Sequence, residues 1–267
     1  MPKAETGRFA AAVLPVTART ITTDAAGLLA GPVAIPAHGL QMPAYRAAPA
    51  GRQGLPVVLV ACEIFGLHEH IADVCRRFAR QGYLAIAPDP FARHGDAAAC
   101  TDIPRLLAEV VGPAADAQVD GDLDATVAWA AAQGGDTGRL GITGFCWGGR
   151  TAWSYAAHSA ALKAAVAWYG PVARSYHAGD PTVIDRAARI RAPVLGLYGA
   201  ADGGIPVDTL TRLDAALQAA GNTGCEFVVY PDTPHAFFAD YRPSYRAAEA
   251  EDGWNRCLAW FKQNGVA

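Results

Sequence analysis

Leu140-Gly141-Ile142-Thr143-Gly144-Phe145-Cys146-Trp147-Gly148-Gly149 decides the reading of this chain. Leu140 to Thr143 reads as a short buried strand. It runs directly into Gly-x-Cys-x-Gly, and helical spacing follows from Gly149 to Ala157. A turn this sharp needs small flanking residues, because the backbones close up on each other. It holds its central residue in a strained conformation at a helix start, the pattern that presents a nucleophile. The positive end of the helix macrodipole there favours thiolate over thiol. The motif alone also fits a buried cysteine beside a tight turn. A dinucleotide loop fits poorly, since Gly-x-Gly-x-x-Gly is absent and Phe145, Cys146 and Trp147 would crowd a pyrophosphate.

Outward from this stretch, strands and helices alternate. Pro56 to Ala61 is a continuous apolar run, as a strand buried on both faces requires. Ile71, Val74, Cys75, Phe78 and Ala79 follow at helical spacing, and Gly82 ends that helix. Tyr83 to Ala87, Ala164 to Trp168, Val194 to Tyr198 and Glu226 to Tyr230 read as further strands. Helices are expected over Ala115 to Gln133, Val207 to Ala220 and Tyr245 to Asn264. Arg19 to Thr23 reads as an early strand, and the proline-rich Gly31 to Gly54 as short antiparallel strands and turns. The alternation predicts an α/β fold, a mostly parallel central sheet with helices on both faces. Residues 1–20 read as an N-terminal arm and 21–267 as a single domain.

Open parallel sheets collect reactive groups at the carboxyl ends of their strands. Cys146 leaves one strand, Asp202 follows Val194 to Tyr198, and His235 follows Glu226 to Tyr230. Nucleophile, acid, histidine is the chain order of α/β-hydrolases, so the fold is read as an α/β-hydrolase and the three residues as its triad. Each has a plainer reading: Asp202 as a helix cap, His235 as an ordinary loop histidine, Asp232 as a rival acid awkwardly close to the ring. Cys62-Glu63-Ile64 leaves the first buried strand, where this fold takes one oxyanion-hole amide. The expected pair is the backbone N–H of Ile64 and of Trp147. His68-Glu69-His70 suggests a metal only weakly, with no third ligand in view, and both histidines read as helix-start residues.

The whole chain agrees with a small-molecule enzyme. Its 267 residues are 52% hydrophobic and 18% charged, which excludes overall disorder. With 22 basic and 25 acidic residues the net charge is −3, giving no electrostatic case for nucleic acid or an anionic membrane. No apolar run reaches 18 residues and no signal peptide is visible, so a cytoplasmic location is expected. Six widely spaced cysteines with no Cys-x-x-Cys then read as free thiols.

The chain resembles the dienelactone hydrolase (carboxymethylenebutenolidase) family over about residues 40 to 265, and within it a bacterial carboxymethylenebutenolidase subgroup. The matching segments are Glu63-Ile64-Phe65-Gly66-Leu67-His68, Gly82 to Asp89, Gly144 to Gly149, Ala167-Trp168-Tyr169-Gly170 and His235-Ala236-Phe237. The resemblance implies Cys146 as nucleophile, His235 as base and Asp202 as its orienter. It implies that Glu63 holds the thiol away from the histidine in the resting enzyme. It implies that Arg93 grips a substrate carboxylate. The family's second arginine falls at Ala239, with Arg242 nearby but shifted. That departure bears on dienelactone itself more than on ester or lactone hydrolysis.

The expected reaction is cleavage of a lactone or activated ester through a cysteine acyl-enzyme. A thiolate is itself a good leaving group, so a good leaving group on the substrate, such as an enolate, is favoured. No metal or organic cofactor is required, and the chain is expected to act as a monomer or small homo-oligomer. Two alternatives stand beside this: a carboxylesterase or thioesterase of other specificity, and a non-catalytic protein binding a small ligand on the same fold.

Overall fold

The protein, as a computed structural model, is described over residues 20–267. Among the described residues eight strands form one sheet in the order β1-β2-β4-β3-β5-β6-β7-β8. They are β1 (Leu28–Ala37), β2 (Leu40–Pro49), β3 (Leu55–Ala61), β4 (Leu84–Pro88), β5 (Gly135–Phe145), β6 (Ala164–Trp168), β7 (Val194–Gly199) and β8 (Glu226–Tyr230). The β1–β2 hairpin and the β2–β4 pair are antiparallel, and every other pairing is parallel. All positions of β3, β4, β6 and β7 are buried, as strands covered on both faces must be.

Five main helices cover the sheet: α1 (Glu69–Arg80), α2 (Asp116–Ala132), α3 (Trp147–His158), α4 (Val207–Ala219) and α5 (Ala247–Gln263). On one face Phe78 of α1 packs against Trp254 and Phe261 of α5. The other face carries α2 against α3, and the helical turn Ile184–Arg189 between α3 and α4. This is the α/β-hydrolase fold. No helix among the described residues is long and apolar enough to cross a membrane.

Three expectations change. Thr20 to Thr23 form no strand, and Arg19 lies outside the described residues. Side chains hold this segment instead: Asp73 accepts the Thr23 amide at 2.6 Å, and Arg76 donates to its carbonyl at 2.8 Å. The expected N-terminal arm lies, but for Thr20, outside the described residues. The proline-rich stretch forms two ten-residue strands rather than short ones. Pro32 and Pro36 are tolerated because β1 is a sheet edge, and Pro43 and Pro49 lie outside the Ala44–Ala47 stretch of β2 that pairs with β4. Finally, β5 starts at Gly135, because Leu55 and Pro56 pair with Gly135 and Asp136 before a register shift.

Candidate active site

Six parallel strands direct their carboxyl ends to one edge of the sheet, and the expected residues meet there. Cys146 follows β5 and opens α3 with φ 55° and ψ −113°. A non-glycine residue so far into positive φ is strained and is held only by its surroundings. Its amide donates to the Trp168 carbonyl at 3.0 Å, and its carbonyl accepts from Arg150 at 3.1 Å. The glycines leave no room for alternatives. A Cβ on Gly144 would sit 2.0 Å from the Gly148 carbonyl oxygen. One on Gly148 would sit 2.2 Å from the Ala61 oxygen, and one on Gly149 2.5 Å from the Trp168 oxygen. The elbow is thus wedged between β3 and β6.

Asp202 is buried after β7. Its Oδ2 lies 2.6 Å from His235 Nδ1, while Oδ1 accepts the Gly204 amide at 2.9 Å. The rival Asp232 is exposed, and Asp202 holds the ring. His235 also lies within hydrogen-bonding reach of Cys146. Burial alone would lower the imidazole, but the bonds to Asp202 and Cys146 outweigh it and raise the ring to about 10. The next residues pin the loop. Phe237 and Phe238 are buried, with Phe238 4.4 Å from the Trp168 ring and stacked on Phe145 at 5.2 Å. Each such ring contributes about 2–3 kcal/mol by burial.

The oxyanion-hole candidates are neighbours by register. Ala61 of β3 pairs with Gly144 of β5, so the loops carrying Ile64 and Trp147 leave the sheet side by side. Trp147 is the first residue of α3, and its amide has no acceptor within the helix. Glu63, in the first of these loops, is 1% exposed. Tyr241 donates to its Oε2 at 2.8 Å, and His68 Nε2 stands 3.8 Å from the same oxygen. Burial opposes its charge, yet His68, then Arg242 and His70, outweigh burial and hold the carboxyl at about 2. Glu63 is therefore a carboxylate with one oxygen, Oε1, left without a hydrogen-bond partner among the described residues.

A profile for the "Dienelactone hydrolase family" matches residues 42–265.

The chain belongs to the dienelactone hydrolase family.

A Methylorubrum extorquens protein named "Putative carboxymethylenebutenolidase" is 58% identical over 262 residues, spanning 97% of this chain and 90% of the relative. An Escherichia coli K12 protein of the same name is 52% identical over 259 residues, 96% of this chain and 95% of its own. A crystal structure described as "Putative Dienelactone Hydrolase" from Klebsiella pneumoniae matches with a TM-score of 0.85 and 54% identity. It covers 88% of this chain and 99% of that one. The protein is thus a hydrolase of the dienelactone hydrolase family.

In this family member, Arg93 is not brought to the triad as a free cation. Its guanidinium bonds Asp122 at 2.5 Å and the Ala37 carbonyl at 2.9 Å, tying the β4 exit to α2 and the hairpin. Arg242 instead stands at the site. It lies 5.8 Å over the Phe65 ring and contributes to the low value of Glu63. No carboxylate forms an ion pair with it among the described residues. The sequence reading also missed Tyr169, buried directly after β6, whose ring meets His235 edge-on at 5.0 Å. Its position at a strand exit was the available signal. Burial, with Glu63 nearby, pushes its phenol well up, so it stays neutral. All six cysteines are free. Burial raises the thiols of Cys62, Cys75 and Cys257, and that of Cys225 to about 11. No cluster of three or more His, Cys, Asp or Glu among the described residues could hold a metal ion.

Proposed function

We propose that the protein hydrolyses a lactone or activated ester through a thioester on Cys146. The observation that carries this reading is the bond of His235 to Asp202 beside a strained Cys146 elbow whose side chain acts on the same ring. The unpartnered Oε1 of Glu63 is the group that takes the thiol when it turns away from His235, the resting arrangement. When substrate displaces that contact, the thiol proton passes to His235 and the sulfur attacks the carbonyl carbon. The Ile64 and Trp147 amides take the developing oxyanion. Collapse expels the alcohol or enolate, which accepts the proton from His235. The ring, again a base, activates water, and hydrolysis of the thioester returns the acid and the thiol. Asp202 keeps the ring turned with Nε2 toward the sulfur.

Arg242, rather than Arg93, supplies the cation for an anionic group on the substrate. An activated aryl ester assayed with wild type and Cys146→Ala tests the nucleophile. Turnover falls to background in the variant if the reading holds, and unchanged turnover rejects the covalent mechanism. A panel of lactones, aryl esters and thioesters then ranks the substrate class.

A further inference from the structure

A second buried cluster adjoins the site and has no part in the steps above. His68 and His70, at the N-terminal end of α1, point inward rather than only starting the helix. Their rings are stacked with centroids 6.2 Å apart. His68 faces Glu63, and His70 Nδ1 lies 3.5 Å from Asp240 Oδ1. Asp240 is fully buried, and its other oxygen takes Arg77, which continues to Asp73. Tyr241 packs beside both histidines, 5.5 Å from the His68 ring and 5.1 Å from the His70 ring, while donating to Glu63.

This is a continuous path from Glu63 through His68 and His70 to Asp240 and Arg77. Five of its buried polar atoms lack a hydrogen-bond partner among the described residues: Glu63 Oε1, His68 Nε2, both nitrogens of His70 and Asp240 Oδ1. Three of them stand at ion-pair distance from a partner, but Glu63 Oε1 and His70 Nε2 face no such partner, and an unpaired buried group costs about 1–3 kcal/mol. Packing alone gives no reason to concentrate that cost beside one carboxylate, and such concentrations mark functional sites. A cavity of about 60 Å³ is lined by His70, Asp240 and Tyr241 together with Thr20, Ile21 and Thr22. The segment clasped by Asp73 and Arg76 therefore roofs the outer end of the path.

We propose that His70 and Asp240, acting through His68, are positioning residues for Glu63 and set the pH range in which the Cys146 thiol is released to react. This rests on the reading of Cys146 as nucleophile and Glu63 as the group that holds its thiol. The titratable and charged groups around the histidine pair are Glu69, Asp73 and Arg77 on α1, Glu63 after β3, and Asp240, Tyr241 and Arg242 after β8. Replacing Asp240 by Asn removes an anion and leaves Arg77 short of a partner. Both changes favour a neighbouring anion.

The test is the pH profile of iodoacetamide alkylation of the Cys146 peptide, read by mass spectrometry on the full chain. His70→Gln is compared in the wild-type and Glu63→Gln backgrounds. The expected result is a midpoint shift of about 0.5 pH unit or more with Glu63 present, and none in Glu63→Gln. Asp240→Asn is expected to move the midpoint to lower pH by a similar amount. Cys75, buried on the same helix, stays unlabelled while the protein is folded. If His70→Gln labels at Cys75, Asp240→Asn in the two backgrounds decides. An unshifted midpoint, or equal shifts with and without Glu63, overturns the proposal. Wild-type turnover in Cys146→Ala would instead reject the reading beneath it.

Discussion

Gly148→Ala tests how the elbow builds the oxyanion hole. The added Cβ would lie 2.2 Å from the Ala61 oxygen and 2.5 Å from the Cys62 oxygen. Carbon meets carbonyl oxygen at about 3.3 Å, so the clash is about 1 Å deep. The obstructing atoms are backbone of a fully buried strand and its exit, which cannot swing aside as a side chain would. The start of α3 must therefore move away from the β3 loop by about 1 Å. The two parts that separate carry Trp147 and Ile64. A displacement of that size at reacting groups costs about 100-fold in rate, near the value of one lost oxyanion donor. The overpacking itself costs about 1–3 kcal/mol, which for a chain of this size lowers Tm by several degrees. Steady-state hydrolysis of an activated ester, with a thermal melt on the same sample, reads both. The account expects kcat to fall about 100-fold in a folded protein with KM little changed. A folded Gly148→Ala with wild-type kcat would refute the proposed hole.

Two further outcomes follow from the same geometry. Glu63 is held at about 2 against an ordinary 4.5, so its contribution of about 3 kcal/mol is full above pH 4.5 and lost as pH falls toward 2. Thermal melts of Glu63→Gln should accordingly lose less Tm than wild type between pH 5 and pH 3, and parallel curves would count against the assignment. Arg242→Ala should raise KM about 10-fold for an ester bearing a carboxylate and leave a neutral ester unaffected. Arg93→Ala should instead lower Tm, because it leaves buried Asp122 with the Gln118 amide but without its cation, with KM for both esters unchanged; a KM effect confined to Arg93→Ala would reverse the two roles.

What could be read from the sequence was whatever local pattern fixes. Ala164–Trp168 and Glu226–Tyr230 coincide with their expected limits, because each is a short, largely apolar run closed by turn residues. Cys146, Asp202 and His235 were legible because a parallel sheet makes strand exits converge, and chain order alone then ranks the exits. The first half of β5 was not legible. Gly135 to Arg139 has no apolar run, and pairing with Leu55 and Pro56, about eighty residues earlier, makes it a strand. The engagement of Arg93 with Asp122 was not legible for a related reason. The family motif supplies the arginine, but whether it is free depends on Asp122, which only the packing of α2 brings to it. His68 and His70 were placed correctly at a helix start. Their inward role depends on Asp240 and Tyr241, some 170 residues away in the chain.

The covalent intermediate is the central claim, and trapping it is the most direct measurement. An activated ester is mixed with His235→Ala enzyme, quenched in acid and digested, and the acyl mass is located by peptide sequencing. At a pH where the thiol ionises without His235, attack on the activated ester proceeds while water goes unactivated, and one acyl group is predicted on Cys146, absent from Cys146→Ala. An acyl group on another residue, or wild-type turnover without any acyl-enzyme in Cys146→Ala, would contradict it.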